Sequence, residues 1–266
     1  MINNHIIKKL LYISSNFPKT LAVDQGVSLY TYEDFANIVL NLTKKILEKK
    51  IAPVVAIVGE KDILSYTSMF STLYSGGTYV PISANLPLNK IIKIINSAKI
   101  DLIVCKSGFV RLLKKKFPSK KFFTQKDLSS DKCLSIPKIK IKKKLAYIIF
   151  TSGSTGDPKG VCISRTSLDH YIKWFNKNVK IKNGEKCSQF PEIGFDLSVA
   201  DIYGTLCSGG TLCPANTEYS KIFPGRFIAQ KKINYLVCVP SLIDVINYSG
   251  DLKKKNLSSV KKIFFC

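Results

Sequence analysis

"YIIFTSGSTGDPKG", residues 147–160, is the stretch on which the reading of this chain turns. Its apolar start, Tyr147 to Phe150, reads as a strand that delivers Thr151, Ser152, Gly153, Ser154, Thr155 and Gly156 into a loop. Glycines let backbone N–H groups approach an anion closely. Hydroxyls add further donors. Pro158 stiffens the exit and Lys159 brings a cation. Together these groups suit a polyphosphate. The spacing is G-x-x-G-x-x-K, which does not match the Walker pattern G-x-x-x-x-G-K-[ST]. A short Gly/Ser-rich stretch alone could be a surface linker. The continuous run from apolar strand to lysine argues against that.

Outward from this loop the chain alternates between short apolar runs and longer amphipathic ones. Upstream, the expected strands are Leu21–Asp24, Val27–Tyr30, "PVVAIVG" (53–59), "TYVPIS", "DLIVC" and a segment near Phe122. Helices are expected over 1–16, from Tyr32 after a Thr31 cap, and over 62–75, 87–98 and 107–116. Downstream come strand "GVCIS", helix 165–177, a strand near 186–190, helix 196–207 and strand "GTLCP". Helix 221–232, strand "NYLVCVP", helix 241–249 and strand "VKKIFFC" follow. Short apolar runs bounded by Gly and Pro read as buried parallel strands. The expected fold is therefore layered α/β, with largely parallel sheets flanked by helices. One domain over 1–266 is expected, with a subdomain division near 130–145 and no internal repeat.

Of 266 residues, 45% are hydrophobic and 41 are basic against 18 acidic, a net charge of +23. Such a charge raises the question of nucleic acid. Only Arg111, Arg165 and Arg226 are arginines, the residue favoured for forked phosphate and base contacts. The lysines are scattered, with short runs at 114–116, 142–144 and 253–255, and no nucleic-acid motif accompanies them. They read as solvated surface. The eight cysteines form no C-x-x-C pair, and only His5 and His170 could add imidazole, so zinc spacing is absent. Free thiols in a reducing compartment are expected. The N-terminus lacks a signal-peptide layout and no apolar run is long enough to span a bilayer. The protein is expected in the cytoplasm, without nucleic acid or membrane insertion.

The string at 147–160 closely resembles the phosphate-binding motif of the adenylate-forming superfamily. Further motifs resemble that superfamily in the same order. They are "SLYTYEDF" (28–35), "LYSGGTYVPISANLP" (73–87), "GFDLSVADIYGTLCSGGTL" (194–212) and "VCVPSLIDVI" (237–246). The resemblance covers nearly the whole chain. It is strongest to amino-acid adenylation domains and, among these, to the D-alanine–D-alanyl carrier protein ligases.

Asp196, between Phe195 and Leu197 at the start of an apolar helix, could simply cap that helix. The resemblance implies instead that it binds a substrate's α-ammonium group, a cation that fatty acids lack. By the same alignment, Phe195, Leu197, Ala200, Val237 and Cys266 would lie near the substrate side chain. Core packing remains open for each. An uncharged wall suits a small amino acid such as alanine.

The resemblance implies ATP with Mg2+, attack of the acid on the α-phosphorus, and transfer of the acyl group to a carrier protein's phosphopantetheine thiol. Members of the superfamily continue into a further aromatic loop, a ribose-binding Asp and a C-terminal lid with a catalytic Lys. This chain is therefore expected to be the N-terminal part of the domain and inactive alone, with a second polypeptide as one possible source of the rest. An acyl-CoA synthetase-like ligase and an inactive binding module are the alternatives.

Overall fold

The computed structural model describes residues 5–133, 139, 144–152 and 157–265. The chain divides into two units. The first comprises residues 1–8 and 34–171, the second residues 9–33 and 172–266. Among the described residues each holds one six-stranded sheet. In chain order the strands are β1 (Leu21–Asp24), β2 (Leu29–Thr31), β3 (Val54–Gly59), β4 (Thr78–Ser83), β5 (Leu102–Cys105) and β6 (Lys121–Phe123). They continue with β7 (Leu145–Ser152), β8 (Pro158–Ser164), β9 (Lys186–Gln189), β10 (Thr211–Pro214), β11 (Tyr235–Cys238) and β12 (Lys262–Phe265).

In the first unit the sheet order is β6-β5-β3-β4-β7-β8, parallel except for the β7–β8 hairpin. The helix Ile63–Tyr74 starts where the buried Asp62 carboxylate accepts the Ser65 N–H at 2.9 Å. Burial pushes the Asp62 carboxyl up, against the pull of that hydrogen bond and of Lys106. The helix Leu88–Ser97 presents Ile91, Ile94 and Ile95, spaced for one helical face. They pack on Ala56, Val58, Val80, Ile82 and Ile103 of the parallel strands. This core fixes β3 and β4, and β4 in turn holds the hairpin.

In the second unit the order is β12-β11-β9-β10-β1-β2, parallel except for the β1–β2 hairpin. Each sheet thus ends in an antiparallel hairpin from elsewhere in the chain. Hairpin β1–β2 precedes β3–β6 in sequence but pairs with β10; hairpin β7–β8 precedes β9–β12 but pairs with β4.

That exchange exposes an internal repeat which sequence reading does not recover. "FSTLYSGGTYVP" (70–81) and "YGTLCSGGTLCP" (203–214) share Thr, Leu, Ser, Gly, Gly, Thr and Pro at equivalent positions. The hydrogen bonds repeat as well. Thr78 N–H donates to Pro53 O and Thr211 N–H to Glu185 O, both at 2.8 Å. Thr78 Oγ1 donates to Leu145 O at 3.2 Å and Thr211 Oγ1 to Leu21 O at 2.7 Å. Asp101 accepts the Val54 N–H as Asn234 accepts the Lys186 N–H, each at 2.8 Å. The first glycine of each turn is left-handed, Gly76 at φ 78° and Gly209 at φ 86°, a region open to glycine without a Cβ penalty.

The two units exchange at 8/9, 33/34 and 171/172, and β7 joins the sheet of the strands before it. Several expectations need correction. Residues 196–207 are not one regular helix: Leu197–Val199 is followed by a π-helical turn over Ala200–Gly204. There Gly204 lies against the Phe175 ring, with no room for a Cβ. The helix expected over 221–232 is two, Glu218–Ile222 and Pro224–Lys231, broken at Phe223 where proline opens the second. A short helix, Lys254–Leu257, includes part of the last lysine run.

Candidate active site

The phosphate motif lies on the β7–β8 hairpin of the first unit. Tyr147–Phe150 is strand, as its apolar pattern requires, but the strands run further than expected. β7 extends through Thr151 and Ser152, and β8 begins at Pro158. Thr151 pairs across the hairpin with Lys159, and Phe150 with Gly160. Cross-strand partners share a face, so a hydroxyl and an ammonium stand side by side at the rim of the loop. Both residues are exposed. Gly153, Ser154, Thr155 and Gly156 lie outside the described residues, as does the side chain of Ser152. Beside them Lys93 bridges Asp157 at 2.9 Å, a solvent-exposed pair. Gly160 has no space for a side chain: a Cβ would come within 2.9 Å of Ile148 Cγ2 and 3.0 Å of the Phe150 ring. That contact lets β8 lie close over the strand that carries Thr151.

Arg165, which sequence reading leaves without a role, sits at the base of this hairpin with only 5% of its surface exposed. Its backbone N–H donates to Lys144 O at 2.8 Å. Its guanidinium donates to Leu73 O at 3.1 Å and to Gly77 O. The sequence cue was that Arg165 is one of three arginines among 41 basic residues.

The amino-acid motif lies in the second unit. Asp196 is exposed and caps the short helix, its Oδ1 accepting the Leu197 N–H at 2.8 Å. Phe195 is 65% exposed. Leu197, Ala200 and Val237 do come together. Ala200 and Val237 are buried in one cluster with Phe175, Val179, Ile181, Cys187 and Tyr235, and Leu197 and Phe264 pack against it. Phe264 pairs with Val237 across β11 and β12, and its ring lies 6.1 Å from that of Phe175. Phe175 and Phe264 belong to this cluster, and the motif reading omits them. Cys266 lies outside the described residues. Next to Val237, burial and the Asp201 charge push the Cys238 thiol up to about 11, so near neutral pH it is a packed thiol and not a nucleophile. Asp201, on the π-helical turn, is itself 1% exposed. His170 is exposed on the helix Arg165–Val179.

Among the described residues no group of three or more His, Cys, Asp or Glu could hold a metal ion. Among them, too, no helix is long and apolar enough to cross a membrane.

Two α/β sheets, a Gly/Ser/Thr hairpin with a Thr–Lys rim, and an Asp-capped helix on an apolar cluster define the N-terminal part of an adenylation-type fold. The chain belongs to the family described as AMP-binding enzyme, whose profile matches residues 13–266. It is 28% identical over 226 residues to a D-alanine–D-alanyl carrier protein ligase of Bacillus velezensis, covering 81% of this chain and 43% of that protein. It is also 28% identical over 266 residues to the ligase of that name from Staphylococcus aureus, covering 98% and 53%. The chain spans about half the length of these curated relatives. Among solved structures it is similar to the Vibrio cholerae adenylation domain AlmE in complex with glycyl-adenosine-5'-phosphate. There the TM-score is 0.81 at 22% identity, over 98% of this chain and 54% of that one. It is similar too to the AMPPNP-bound nonribosomal peptide synthetase FmoA3, with a TM-score of 0.83 at 18% identity over 96% and 28%.

Proposed function

We propose that these residues form the part of an ATP-using ligase that activates a small amino acid, with alanine the best candidate, as its aminoacyl-adenylate. The substrate carboxylate attacks the α-phosphorus of ATP, the bond to the bridging oxygen breaks, and pyrophosphate leaves. A carrier protein's phosphopantetheine thiol then displaces AMP and takes the acyl group as a thioester. Thr151 and Lys159, with the hydroxyls and backbone N–H groups of the loop, would hold the phosphates and offset their charge. Mg2+ would arrive with the triphosphate. The names of the relatives support the amino acid and the carrier protein.

The observation that carries the reading is Asp196, placed beside Leu197 and the Ala200–Val237 cluster. One of its oxygens takes the Leu197 N–H; a carboxylate has further lone pairs for an ammonium group. The uncharged cluster that Leu197 joins suits a methyl side chain. Because Asp196 is exposed before ligand arrives, its loss should cost no more than a charge-assisted hydrogen bond, about 1.5–3 kcal/mol.

The test uses non-hydrolysable acyl-sulfamoyl adenosines and calorimetric titration. Asp196→Asn should weaken the alanyl compound by about tenfold to a hundredfold. It should leave the octanoyl compound unchanged, since that lacks the ammonium. Equal weakening of both, or wild-type preference for the octanoyl compound, would refute the amino-acid assignment.

A further inference from the structure

The two repeats carry equivalent clamps made by different side chains. In the second unit, Tyr32 donates its backbone N–H to Thr20 O at 2.9 Å, just ahead of β1. Its hydroxyl reaches Gly210 O at 2.7 Å and Leu206 O at 3.3 Å. In the first unit, Arg165 donates its backbone N–H to Lys144 O, just ahead of β7, and its guanidinium to Leu73 O and Gly77 O. Leu73 and Gly77 occupy the repeat positions of Leu206 and Gly210. Each clamp stands at the first residue of the helix that follows a hairpin, Tyr32–Leu47 or Arg165–Val179. Each ties that hairpin's base to the turn that starts the neighbouring strand.

The hairpins differ in what they carry. The tip of β1–β2 is the short turn Gln25–Ser28, closed by Gln25 N–H to Ser28 O at 3.0 Å. β7–β8 carries Thr151 and Lys159 as a cross-strand pair at its far end. β8 is the outer strand of its sheet, and β7 meets β4 with Tyr79 opposite Tyr147. The polar attachments to β4 and its preceding turn lie at the base. At the base are the Tyr79–Tyr147 ring stack at 5.3 Å, the Thr78 hydroxyl on Leu145 O, and Arg165; further along, Ile148 and Phe150 pack on the core of the parallel strands, and Lys93 bridges Asp157. A shift at the base carries with it the two paired strands that hold Thr151 and Lys159, and small displacements of positioning groups are costly for a ligand that needs several at once.

The geometry points to Arg165 as a positioning residue for the nucleotide. Buried and bonded to Leu73 O and Gly77 O, it sets where the β7–β8 hairpin holds Thr151 and Lys159. This rests on the proposed ATP-using reading. Tyr32 is its structural counterpart without that duty. A guanidinium suits the task because it donates in a fixed fork to two carbonyls at once and stays charged when buried.

The experiment compares the 266-residue chain with Arg165→Met, Arg165→Lys and Tyr32→Phe. All are held at a temperature where each keeps its native circular dichroism. ATP–Mg2+ affinity is measured by calorimetry, and amide exchange is followed over Tyr147–Thr151 and Lys159–Ser164 relative to β3. Arg165→Met should weaken ATP about tenfold and speed hairpin exchange selectively. Arg165→Lys, which keeps a donor and the charge, should recover part of both. Tyr32→Phe should leave both unchanged, although it removes the equivalent clamp. If Tyr32→Phe weakens ATP as much as Arg165→Met, or neither does, the positioning role is overturned. If the wild type binds no ATP, it is the proposed function that fails. The hairpin exchange then decides whether Arg165 positions the loop: selective loosening upholds it, and uniform or absent change overturns it.

Discussion

Gly77→Ala should unfold the first unit at markedly lower denaturant than the wild type. A Cβ at Gly77 would overlap the carbonyl oxygen of Pro53 and stand 3.0 Å from Pro53 Cδ and 3.1 Å from Thr72 Cγ2. The first of these is backbone and cannot swing aside. Pro53 O also accepts the Thr78 N–H at 2.8 Å, the bond that starts the β3–β4 ladder. Relief therefore means shifting either the turn or the first rung of that ladder. Overpacking costs about 1–3 kcal/mol, and a weakened backbone hydrogen bond adds about 1 kcal/mol, for a total of about 2–4 kcal/mol. Gly108→Ala supplies the contrast. It lies in the helix Ser107–Lys116 with nothing within 4 Å of the new methyl. Replacing a helical glycine there should stabilise by up to about 1 kcal/mol. Urea unfolding, read through amide exchange of β3 and β4 so that the first unit is followed by itself, measures both. A Gly77→Ala protein within about 1 kcal/mol of wild type would refute the argument, since the clash would have been absorbed without cost.

Two further predictions concern charge. Lys159→Ala should weaken ATP binding about tenfold or more, the loss of one charged hydrogen bond, whichever acid is offered, while leaving urea stability within about 0.5 kcal/mol because the residue is exposed. Unchanged ATP affinity in titration would remove Lys159 from the phosphate site. Asp24 is the second case. Burial raises its carboxyl, but hydrogen bonds from Lys231 at 2.5 Å, from the Gly26 N–H and from Lys186 at 3.3 Å outweigh it and hold it below its ordinary value of 3.8. A carboxyl depressed on folding adds stability that is fully present above its unfolded pKa and lost as pH falls through the folded one. The stability difference between wild type and Asp24→Asn should then be constant near neutrality and shrink below about pH 4. A difference that grows on acidification, in urea titrations at stepped pH, would show that the sign is wrong.

Much of the element order was legible because local chemistry sets it. Leu21–Asp24, Thr78–Ser83 and Ser107–Lys116 have the limits that their apolar patterns and bounding residues indicate. Two features lie beyond local pattern. Leu197 to Gly204 carries an ordinary helical pattern, and the π-helical turn appears only with the Phe175 ring packed against Gly204. The helix Ile63–Tyr74 is buried along nearly all its length, its serines and threonines included. Its hydroxyls bond back to its own carbonyls, as Thr67 does to Ile63 O at 2.6 Å and Ser71 to Thr67 O at 2.7 Å. A polar residue can be buried when it brings its own acceptor, and no periodicity rule shows that. Of the site, the loop was legible as a string, but the cross-strand pairing of Thr151 with Lys159 was not.

The sequence by itself determined the α/β class, the place of the Gly/Ser/Thr motif after an apolar strand, and the candidate acid Asp196. These depend on residue type and spacing along a few turns of chain. Only the tertiary structure decided that the hairpins change sheets, that Leu197, Ala200 and Val237 share one cluster, and that Arg165 and Tyr32 hold matching carbonyl pairs. Arg165 meets Leu73 across 92 residues and Tyr32 meets Leu206 across 174. The reason is physical. A buried carbonyl must find a donor, but a local pattern states only that the need exists. Which distant side chain meets it depends on how the sheets pack.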